Sequence, residues 1–480
     1  MNDRKGFGSN FGFLMAAVGS AVGLGNIWGF PNKMGANGGF PFLILYLALA
    51  LCCGVIIMLG ELALGRKTGH GAVGAYQSIS KRFKWLGWLG IAAAALIFSF
   101  YSALGGYCLR YVVVNFGNLI GAEFGTNGVG GADVFQGLLS QPDVSIAFAL
   151  AFMLITMLVV MSGVGGGIER VCSVGMPALF FILIICIIRS CTLPGAVDGL
   201  KYMFVPGWAV ANGIIDEAPG FWRVLTAAGG QMFFSLSLGA GVMITYGSYL
   251  DKKQDLGKST MIIVGMDTVV ALMAGLCVIP GRFALDPNGA LGGPELLFIT
   301  MQNVFDKMGP AGPVFGILFY LLVFFAAISS SISMLEVIVA HFCDKAREKG
   351  KGDRRKLYSA IAVVICAALC ALVCADGMGS NHISPAELLG LAGAKLPGWS
   401  TSWLGLFDSV AEGLLMPLGA LLMCLMISWE LKPDALRQEI LLNGENRPWV
   451  YDFFRLCVKY ITPLCMLMIL YGQISDFFIV

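Results

Sequence analysis

Long apolar runs recur from one end of the chain to the other, separated by short polar or glycine-rich breaks. A helix needs about 20 predominantly apolar residues to cross the hydrocarbon core of a bilayer. The runs predict eleven such helices, at roughly residues 11–36, 40–64, 86–116, 144–163, 170–190, 222–249, 259–281, 312–341, 357–375, 403–430 and 450–478. Because no long polar segment remains, the pattern predicts an all-α polytopic membrane protein, with residues 1–480 as a single transmembrane domain.

The composition supports this prediction, because 57% of the residues are hydrophobic and only 12% are charged. The 14 cysteines fall mostly inside the apolar runs, where a thiol behaves as a small apolar side chain, so no disulfide framework is expected. The three histidines, His70, His341 and His382, are scattered in sequence, and we expect no metal site built from them. A net charge of +2 gives no reason to expect nucleic acid as a partner.

The positions of lysine and arginine predict how the chain is oriented in the membrane. With a cytoplasmic N-terminus, the cytoplasmic segments hold about 21 of the 31 basic residues. Eleven spans then place the C-terminus outside. The densest basic loop, residues 345–356, is first a topology signal, and specific binding of lipid headgroups is its alternative interpretation. Short termini and outer loops favour a prokaryotic inner (plasma) membrane.

Two of the predicted spans contain small, flexible residues near their middle: GSAVGLGN at residues 19–26 and SLSLGAG at residues 235–241. Glycine at bilayer depth weakens a helix and permits close approach of the backbone. The clusters occupy equivalent places in two successive five-span halves, which indicates an inverted repeat with a binding site at the midplane. The alternative is that small residues merely pack helices together.

Several further segments, together with these clusters, carry a resemblance to a known family. They are AVGLGNIW at 21–28, FP at 30–31, GG at 38–39, Tyr46, ELALGR at 61–66, Tyr101, GQMFFSLSLG at 230–239 and FAAISSS at 325–331. In these residues the chain resembles the neurotransmitter:sodium symporter family, in its prokaryotic amino-acid-transporting branch, from Arg4 to the last span.

The resemblance implies the leucine-transporter fold, in which helices 1 and 6 are unwound in mid-span. The two inverted five-helix repeats would be residues 11–190 and 222–430, with one extra helix at 450–478. It also implies sodium-coupled symport of an amino acid into the cell by alternating access.

The resemblance further implies two sodium sites, each a cage of oxygen atoms that excludes water. The first would consist of Ala21, Asn26, Ser235 and Asp267, completed by the substrate carboxylate. The second would consist of Gly19, Val22, Ala326, Ser329 and Ser330. A run of serines in a helix also has an ordinary interpretation, in which each hydroxyl bonds back to a helix carbonyl.

Asp267 and Glu61 are carboxylates inside apolar runs, where a charge is costly and a functional role is the default hypothesis. Animal relatives bind chloride near the equivalents of Tyr46, Gln231 and Ser235, and Asp267 would supply that negative charge, so chloride is not expected to be required. For Glu61 we favour a supporting role, by hydrogen bonding to the broken helices. The alternative for Asp267 is a carboxylate satisfied by neighbouring hydroxyls.

The substrate pocket is also implied by the resemblance. The amides of Leu24 and Gly25 and the hydroxyl of Tyr101 would hold a carboxylate, with space for it at Gly23. The ammonium group would meet Ala21, Phe234 and Ser330. The full predicted pocket is Ala21, Gly23, Leu24, Gly25, Ile97, Tyr101, Phe234, Ser235, Ser237, Ala240, Ser330 and Met334. Its lining favours an apolar or aromatic side chain, since Ala240 replaces a phenylalanine of the leucine-carrying relative.

The family resemblance also implies gates, which are residues that close the pocket on its inner and outer sides. Arg4 and Asp344 match an inner charge pair, Tyr101 and Phe234 an aromatic lid, and Asp408 or Glu412 the acidic half of an outer pair. The family's gate arginine is replaced by Gly29 in this chain. Lys33, one helical turn further on, is the candidate substitute, although a lysine near a span end often extends to water.

Other classes of function remain as alternatives. A membrane enzyme is disfavoured because the spans show no nucleophile elbow, histidine pair or zinc spacing, and a channel because rings of charge are absent. A binding-only sensor of the same fold stays open. The sequence does not decide the amino acid, the sodium stoichiometry, any proton counter-transport, or whether the protein is a monomer or a homodimer.

Overall fold

The computed structural model describes residues 6–126, 128–291, 293–352, 354–391, 397–431, 434–442 and 448–478. Within these ranges, nine helices are long and apolar enough to cross a membrane, and a bent pair counted as one span makes ten. The predicted sixth span is divided into two shorter helices and is not among these ten. The eleven predicted segments correspond to α1 (Asn10–Ala21 and Gly25–Ala36), α2 (Phe40–Thr68), α3 (Lys81–Ile120), α4 (Pro142–Met161), α5 (Val164–Cys191), α6 (Phe221–Leu236 and Val242–Gly247), α7 (Leu256–Leu285), α8 (Gly309–Glu348), α9 (Arg355–Gly379), α10 (Trp403–Leu431) and α11 (Trp449–Ser475).

Short helices lie in the connections between the spans. They are Ala72–Ile79, Gly131–Leu139, Ala196–Phe204, Trp208–Ala211, Met301–Asp306, Pro385–Leu388 and Asp434–Leu441. Several spans also extend beyond their predicted ends. For example, α3 begins at Lys81, five residues earlier than predicted, because aromatic and basic residues at the membrane surface continue a helix that hydropathy alone would end.

The first break separates the two halves of α1, which meet at an angle of 42°. Ser9 begins the first half by accepting a hydrogen bond from the amide of Gly12 (2.9 Å), as an N-cap does. Helical geometry ends at Val22, whose ψ of 100° is extended. At this break the amides of Gly23 and Leu24 and the carbonyl of Val22 bond to side chains instead of to helical backbone partners.

The second break, residues 237–241, divides α6. Its backbone turns through three residues with positive φ: Ser237 (52°), Gly239 (79°) and Gly241 (74°). Glycine accepts such angles at little cost, whereas Ser237 is an uncommon non-glycine example. A side chain at Gly239 would also collide with the carbonyl of Met416 in α10. These constraints explain why small residues are concentrated in this segment.

The two broken helices lie at the centre of the bundle, and the uninterrupted helices surround them. α3 and α8 pack along each other and are largely buried, whereas α4 and α5 expose most of their apolar surface. In the described part of the chain, the deepest polar side chains include Asn26, Glu61, Ser235 and Asp267. Polar groups this far from water require partners, and those partners define the candidate site.

Candidate functional site

The carboxylate of Asp267 in α7 is the centre of a buried hydrogen-bond cluster between the two breaks. It accepts hydrogen bonds from the amide nitrogen of Asn26 (2.8 Å), from the hydroxyl of Ser235 (2.9 and 3.0 Å) and from the hydroxyl of Tyr46 (3.2 Å). All four side chains are fully buried. The structure thus brings together three of the four residues predicted for the first sodium site, and Ala21, the fourth, is also buried.

Asn26 connects this cluster to the first break. Its side-chain oxygen accepts a hydrogen bond from the amide of Gly23 (3.0 Å), while its side-chain nitrogen also donates to the carbonyl of Asp267 (2.9 Å). Gln231 of α6 donates to the carbonyl of Gly25 (2.6 Å). The second half of α1 is therefore held in position by side chains from α6 and α7, which fixes the orientation of the freed backbone groups.

The residues predicted for the second sodium site also meet, where the end of the first half of α1 faces α8. The hydroxyl of Ser329 lies 3.3 Å from the carbonyl oxygen of Val22 and 3.0 Å from that of Ala326. The hydroxyl of Ser330 lies 3.5 Å from the carbonyl oxygen of Gly19. Each serine hydroxyl has one hydrogen and can donate to one acceptor at a time. The five residues therefore present more acceptor oxygens than donors, and a hard cation requires such an excess of oxygen ligands.

The predicted carboxylate-binding end of the pocket lies between these two clusters. The amide of Leu24 donates to the hydroxyl of Tyr101 (2.6 Å), so the two expected carboxylate partners are adjacent. A β-carbon at Gly23 would overlap the hydroxyls of Ser330 and Tyr101, and one at Gly25 would lie 3.1 Å from the ring of Phe234. The position beside Gly23 is therefore enclosed by two of the predicted pocket residues, Ser330 and Tyr101.

The remaining predicted pocket residues are also buried. The rings of Tyr101 and Phe234 meet edge to face, with centroids 6.2 Å apart. Ile97, Ala240 and Met334 are all buried. The hydroxyl of Ser237 is directed to the carbonyl of Ser20 (3.0 Å), where it stabilises the first break rather than facing a ligand. Ser237 is thus placed at the site but bonded away from the proposed side-chain space.

Ser20 is a residue of this site that the sequence interpretation omitted. Its carbonyl oxygen accepts hydrogen bonds from both Ser237 and Ser330, each at 3.0 Å. The signal was present, because Ser20 stands between the predicted sodium ligand Gly19 and the predicted pocket residue Ala21. The residues implied by the family resemblance did not include Ser20, although residues beside a helix break can present a free carbonyl.

Glu61 of α2 supports the second break. One of its carboxylate oxygens accepts a hydrogen bond from the amide of Gly239 (2.7 Å). Because Gly239 has a left-handed backbone conformation, its amide has no helical partner and needs this acceptor. The geometry agrees with the predicted supporting role.

Of the predicted inner gate, Arg4 lies outside the described residues. Asp344 accepts a hydrogen bond from the amide of Gly71 (3.1 Å) and lies 3.8 Å from Arg347. On the opposite side of the pocket, Lys33 forms an ion pair with Glu412 of α10. Of the two acids predicted for this gate, Asp408 and Glu412, the structure pairs Lys33 with Glu412, one helical turn beyond Asp408.

We expect the Lys33–Glu412 pair to contribute to closure over the pocket. Replacing Lys33 with alanine should weaken apparent substrate affinity by up to about fivefold at low salt, the range of a partly exposed ion pair, and by less at high salt, where screening weakens the pair. Competition binding at both salt concentrations measures this. Lys201→Ala, which removes an exposed pair with Asp198, is the matched control. Equal affinity of wild type and Lys33→Ala at both salts would leave only the aromatic lid as the closing element.

Comparisons with known proteins identify this architecture. The family model for the sodium:neurotransmitter symporter family matches residues 4–127 and 132–478. An uncharacterized sodium-dependent transporter of Bacillus subtilis is 36% identical over 477 residues, covering 97% of each chain. Another, from Methanocaldococcus jannaschii, is 30% identical over 459 residues, covering 91% of this chain and 84% of that protein.

A solved structure, MhsT in complex with L-phenylalanine, superimposes with a TM-score of 0.83 and 34% identity, covering 98% of this chain and all of that one. The fold and the oxygen-lined breaks define a multi-pass membrane transporter of the leucine-transporter fold. The chain belongs to the sodium:neurotransmitter symporter family, whose members are sodium-dependent transporters of small molecules rather than enzymes.

Proposed function

We propose that this protein carries an apolar or aromatic amino acid into the cell together with two sodium ions. The observation that supports it best is the position of the Leu24 amide and Tyr101 hydroxyl (2.6 Å apart) between two buried, oxygen-rich clusters. Amides at the start of a helix carry partial positive charge and suit a carboxylate. The clusters around Asp267 and Ser329 suit cations. An amino acid carboxylate beside the amides and sodium ions in the two clusters match this arrangement of charges.

The side-chain end of the pocket supports an apolar substrate. Phe234, Ile97 and Met334, which we place around the substrate side chain, are hydrophobic and buried. MhsT, which resembles this chain over its whole length, was solved with L-phenylalanine. Because Gly23 has no side chain, there is no fixed carboxylate to pair with the amine of a substrate that lacks its own carboxyl group.

Sodium would couple to the substrate through the first cluster. A sodium ion held by Ala21, Asn26, Ser235 and Asp267 would sit beside the bound carboxylate and offset its charge. The second ion, held by Gly19, Val22, Ala326, Ser329 and Ser330, would join the first half of α1 to α8. Residues 11–190 and 222–430 would be the two inverted repeats that move relative to each other, with the N-terminus in the cytoplasm and the C-terminus outside.

Equilibrium binding to the purified protein tests the sodium assignment. Radiolabelled L-phenylalanine should bind in sodium chloride and not in choline chloride, with L-leucine tested in parallel. Asn26→Ala and Ser329→Ala should each raise the sodium concentration for half-maximal binding by about tenfold or more, because each removes an oxygen ligand from a dry cage. Ser145→Ala is the control, since Ser145 is a buried serine of α4 whose hydroxyl donates to the carbonyl of Leu138, outside both clusters. A wild-type sodium response in both variants would show that the ions bind elsewhere.

The size of the pocket is tested at Ala240. Substitution with phenylalanine should fill the side-chain space and shift preference from phenylalanine and tryptophan towards alanine and glycine by about tenfold, the scale of overpacking a buried site. Competition of unlabelled amino acids against a labelled substrate measures the ratio, and Ala240→Gly should keep the wild-type order. Wild-type preference for glycine or alanine would refute a large pocket, in which case the flexible side chain of Met334 fills the space.

A further inference from the structure

An apolar groove of about 370 Å³ lies between α5 and α8, within the roughly 300–1,000 Å³ typical of small-molecule sites. Its walls are Val171, Val174, Gly175 and Ala178 of α5 and Phe325 and Ile328 of α8. Val174 is 71% exposed, so the groove opens on the outer surface of the bundle, where lipid would surround it. It is separate from the amino-acid pocket.

Gly175 keeps the groove open. A β-carbon built at this position meets no atom within 4 Å, so no neighbouring helix requires a glycine there. Glycine in the middle of a helix weakens it relative to alanine, and α5 lies within the membrane-spanning region. The glycine at position 175 therefore leaves the groove unfilled and is not needed for close packing of two helices.

A basic residue stands at one end of the groove. Arg170 lines it, is exposed, and has no ion-pair partner among the residues that the structure describes. The adjacent Glu169 accepts hydrogen bonds from Gly8 and Ser9 (2.7 and 2.9 Å), which places this end of α5 beside the start of the chain. Basic pockets between helices at a membrane surface favour anionic lipid headgroups.

The floor of the groove is shared with the second oxygen-rich cluster. Ser329 belongs to both, and Cys172 and Met176 also line the groove. A β-carbon at Gly19 would lie 3.3 Å from the sulfur of Cys172, 3.3 Å from Ser329 and 3.4 Å from Met176. The buried side chains beneath the groove, Cys172, Met176 and Ser329, are therefore those that enclose Gly19 in the first half of α1.

We propose that this groove binds one acyl chain of an anionic phospholipid, whose phosphate pairs with Arg170. The bound chain packs on Cys172 and Met176, holds α5 against Gly19, and so favours sodium at the second site. The link to sodium rests on the proposed function, whereas the lipid site does not. An uncharged apolar molecule would fill the same space but would gain nothing from Arg170, so headgroup selectivity distinguishes the two occupants.

Native mass spectrometry of the purified, delipidated protein tests the site without substrate or sodium. Titration with dioleoyl phosphatidylglycerol should show one molecule that binds at least fivefold more tightly than dioleoyl phosphatidylcholine. Gly175→Leu, which adds an apolar side chain where a β-carbon meets no atom within 4 Å, and Arg170→Gln should each remove this preference. Gly265→Leu is the matched control, because Gly265 is an exposed glycine of α7 that also has open space around it. Arg189→Gln, at the other end of α5, controls for charge.

Retention of the tight phosphatidylglycerol molecule by Gly175→Leu would overturn the proposal, as would equal binding of the two lipids to the wild type. The sodium link has its own readout: phosphatidylglycerol should lower the sodium concentration for half-maximal substrate binding at least twofold in the wild type and not in Gly175→Leu. An unchanged value in the wild type would overturn that link. If substrate binding proved independent of sodium, the proposed function would fail. The number of phosphatidylglycerol molecules bound, measured by mass spectrometry, would still show whether the groove is a lipid site.

Discussion

Gly23→Ala is expected to reduce apparent affinity for the amino acid by about tenfold or more. The added methyl group would occupy the space between the Tyr101 and Ser330 hydroxyls, where we place the substrate carboxylate. The hydroxyl of Ser330 could rotate away, but the ring of Tyr101 is held by the Leu24 amide and by Phe234. Overpacking of this kind costs about 1–3 kcal/mol, which corresponds to a loss of roughly fivefold to more than 100-fold in binding.

Binding of labelled L-phenylalanine in saturating sodium measures the effect. Gly265→Ala, in open space on α7, should bind as the wild type does. Thermal unfolding of both variants shows whether a loss arises from the site or from the fold. Wild-type affinity in Gly23→Ala, with an unchanged melting temperature, would place the carboxylate away from the first break.

Asp267→Asn is expected to introduce a dependence on chloride that we expect the wild type to lack. In the wild type, exchange of chloride for gluconate should leave sodium-dependent binding unchanged, because Asp267 already provides a negative charge bonded to Asn26, Ser235 and Tyr46. The asparagine variant keeps the shape but loses the charge. Its affinity should fall by about tenfold to 100-fold without chloride, in line with about 1.5–3 kcal/mol for hydrogen bonds to a charged group, and recover in part when chloride is added.

The wild type and the Asp267→Asn variant are each titrated with sodium chloride and with sodium gluconate. The four titrations give the apparent affinity of each protein with and without chloride. Asp286→Asn is the control, because Asp286 is a carboxylate at the C-terminal end of α7, outside the Asp267 cluster, that bonds to Lys307 and Asn303. Loss of wild-type binding in gluconate would mean that Asp267 does not fill the role of the anion. Equal chloride response in both proteins would lead to the same conclusion.

The sequence predicted the two breaks because their cause is local. Gly19, Gly23 and Gly25 weaken a helix at this depth. The positive φ of Gly239 and Gly241 is a backbone conformation that glycine adopts at little cost. The Asp267 cluster was also predictable, since an unpaired carboxylate at that depth would be too costly. The likeness to a known family then assigned partners to these groups, and the structure places them in contact.

Other features depend on how helices face each other, which no local pattern specifies. Asp408 and Glu412 are four residues apart on α10, and hydropathy does not show which of them faces Lys33. Likewise, the carbonyl of Ser20 became part of the site only because Ser237 and Ser330, far apart in sequence, both reach it. The groove beside Gly175 could not be predicted, because a single glycine shows nothing about the space on a neighbouring helix.

Uptake into proteoliposomes tests the central claim most directly. The purified protein is reconstituted with sodium-free buffer inside, and labelled L-phenylalanine is added outside with either sodium chloride or choline chloride. Sodium-coupled symport predicts accumulation above the equilibrium level only with an inward sodium gradient, and its collapse when a sodium ionophore is added. Sodium-dependent binding without accumulation would identify a sensor of the same fold, and equal uptake in sodium-free buffer would contradict sodium coupling.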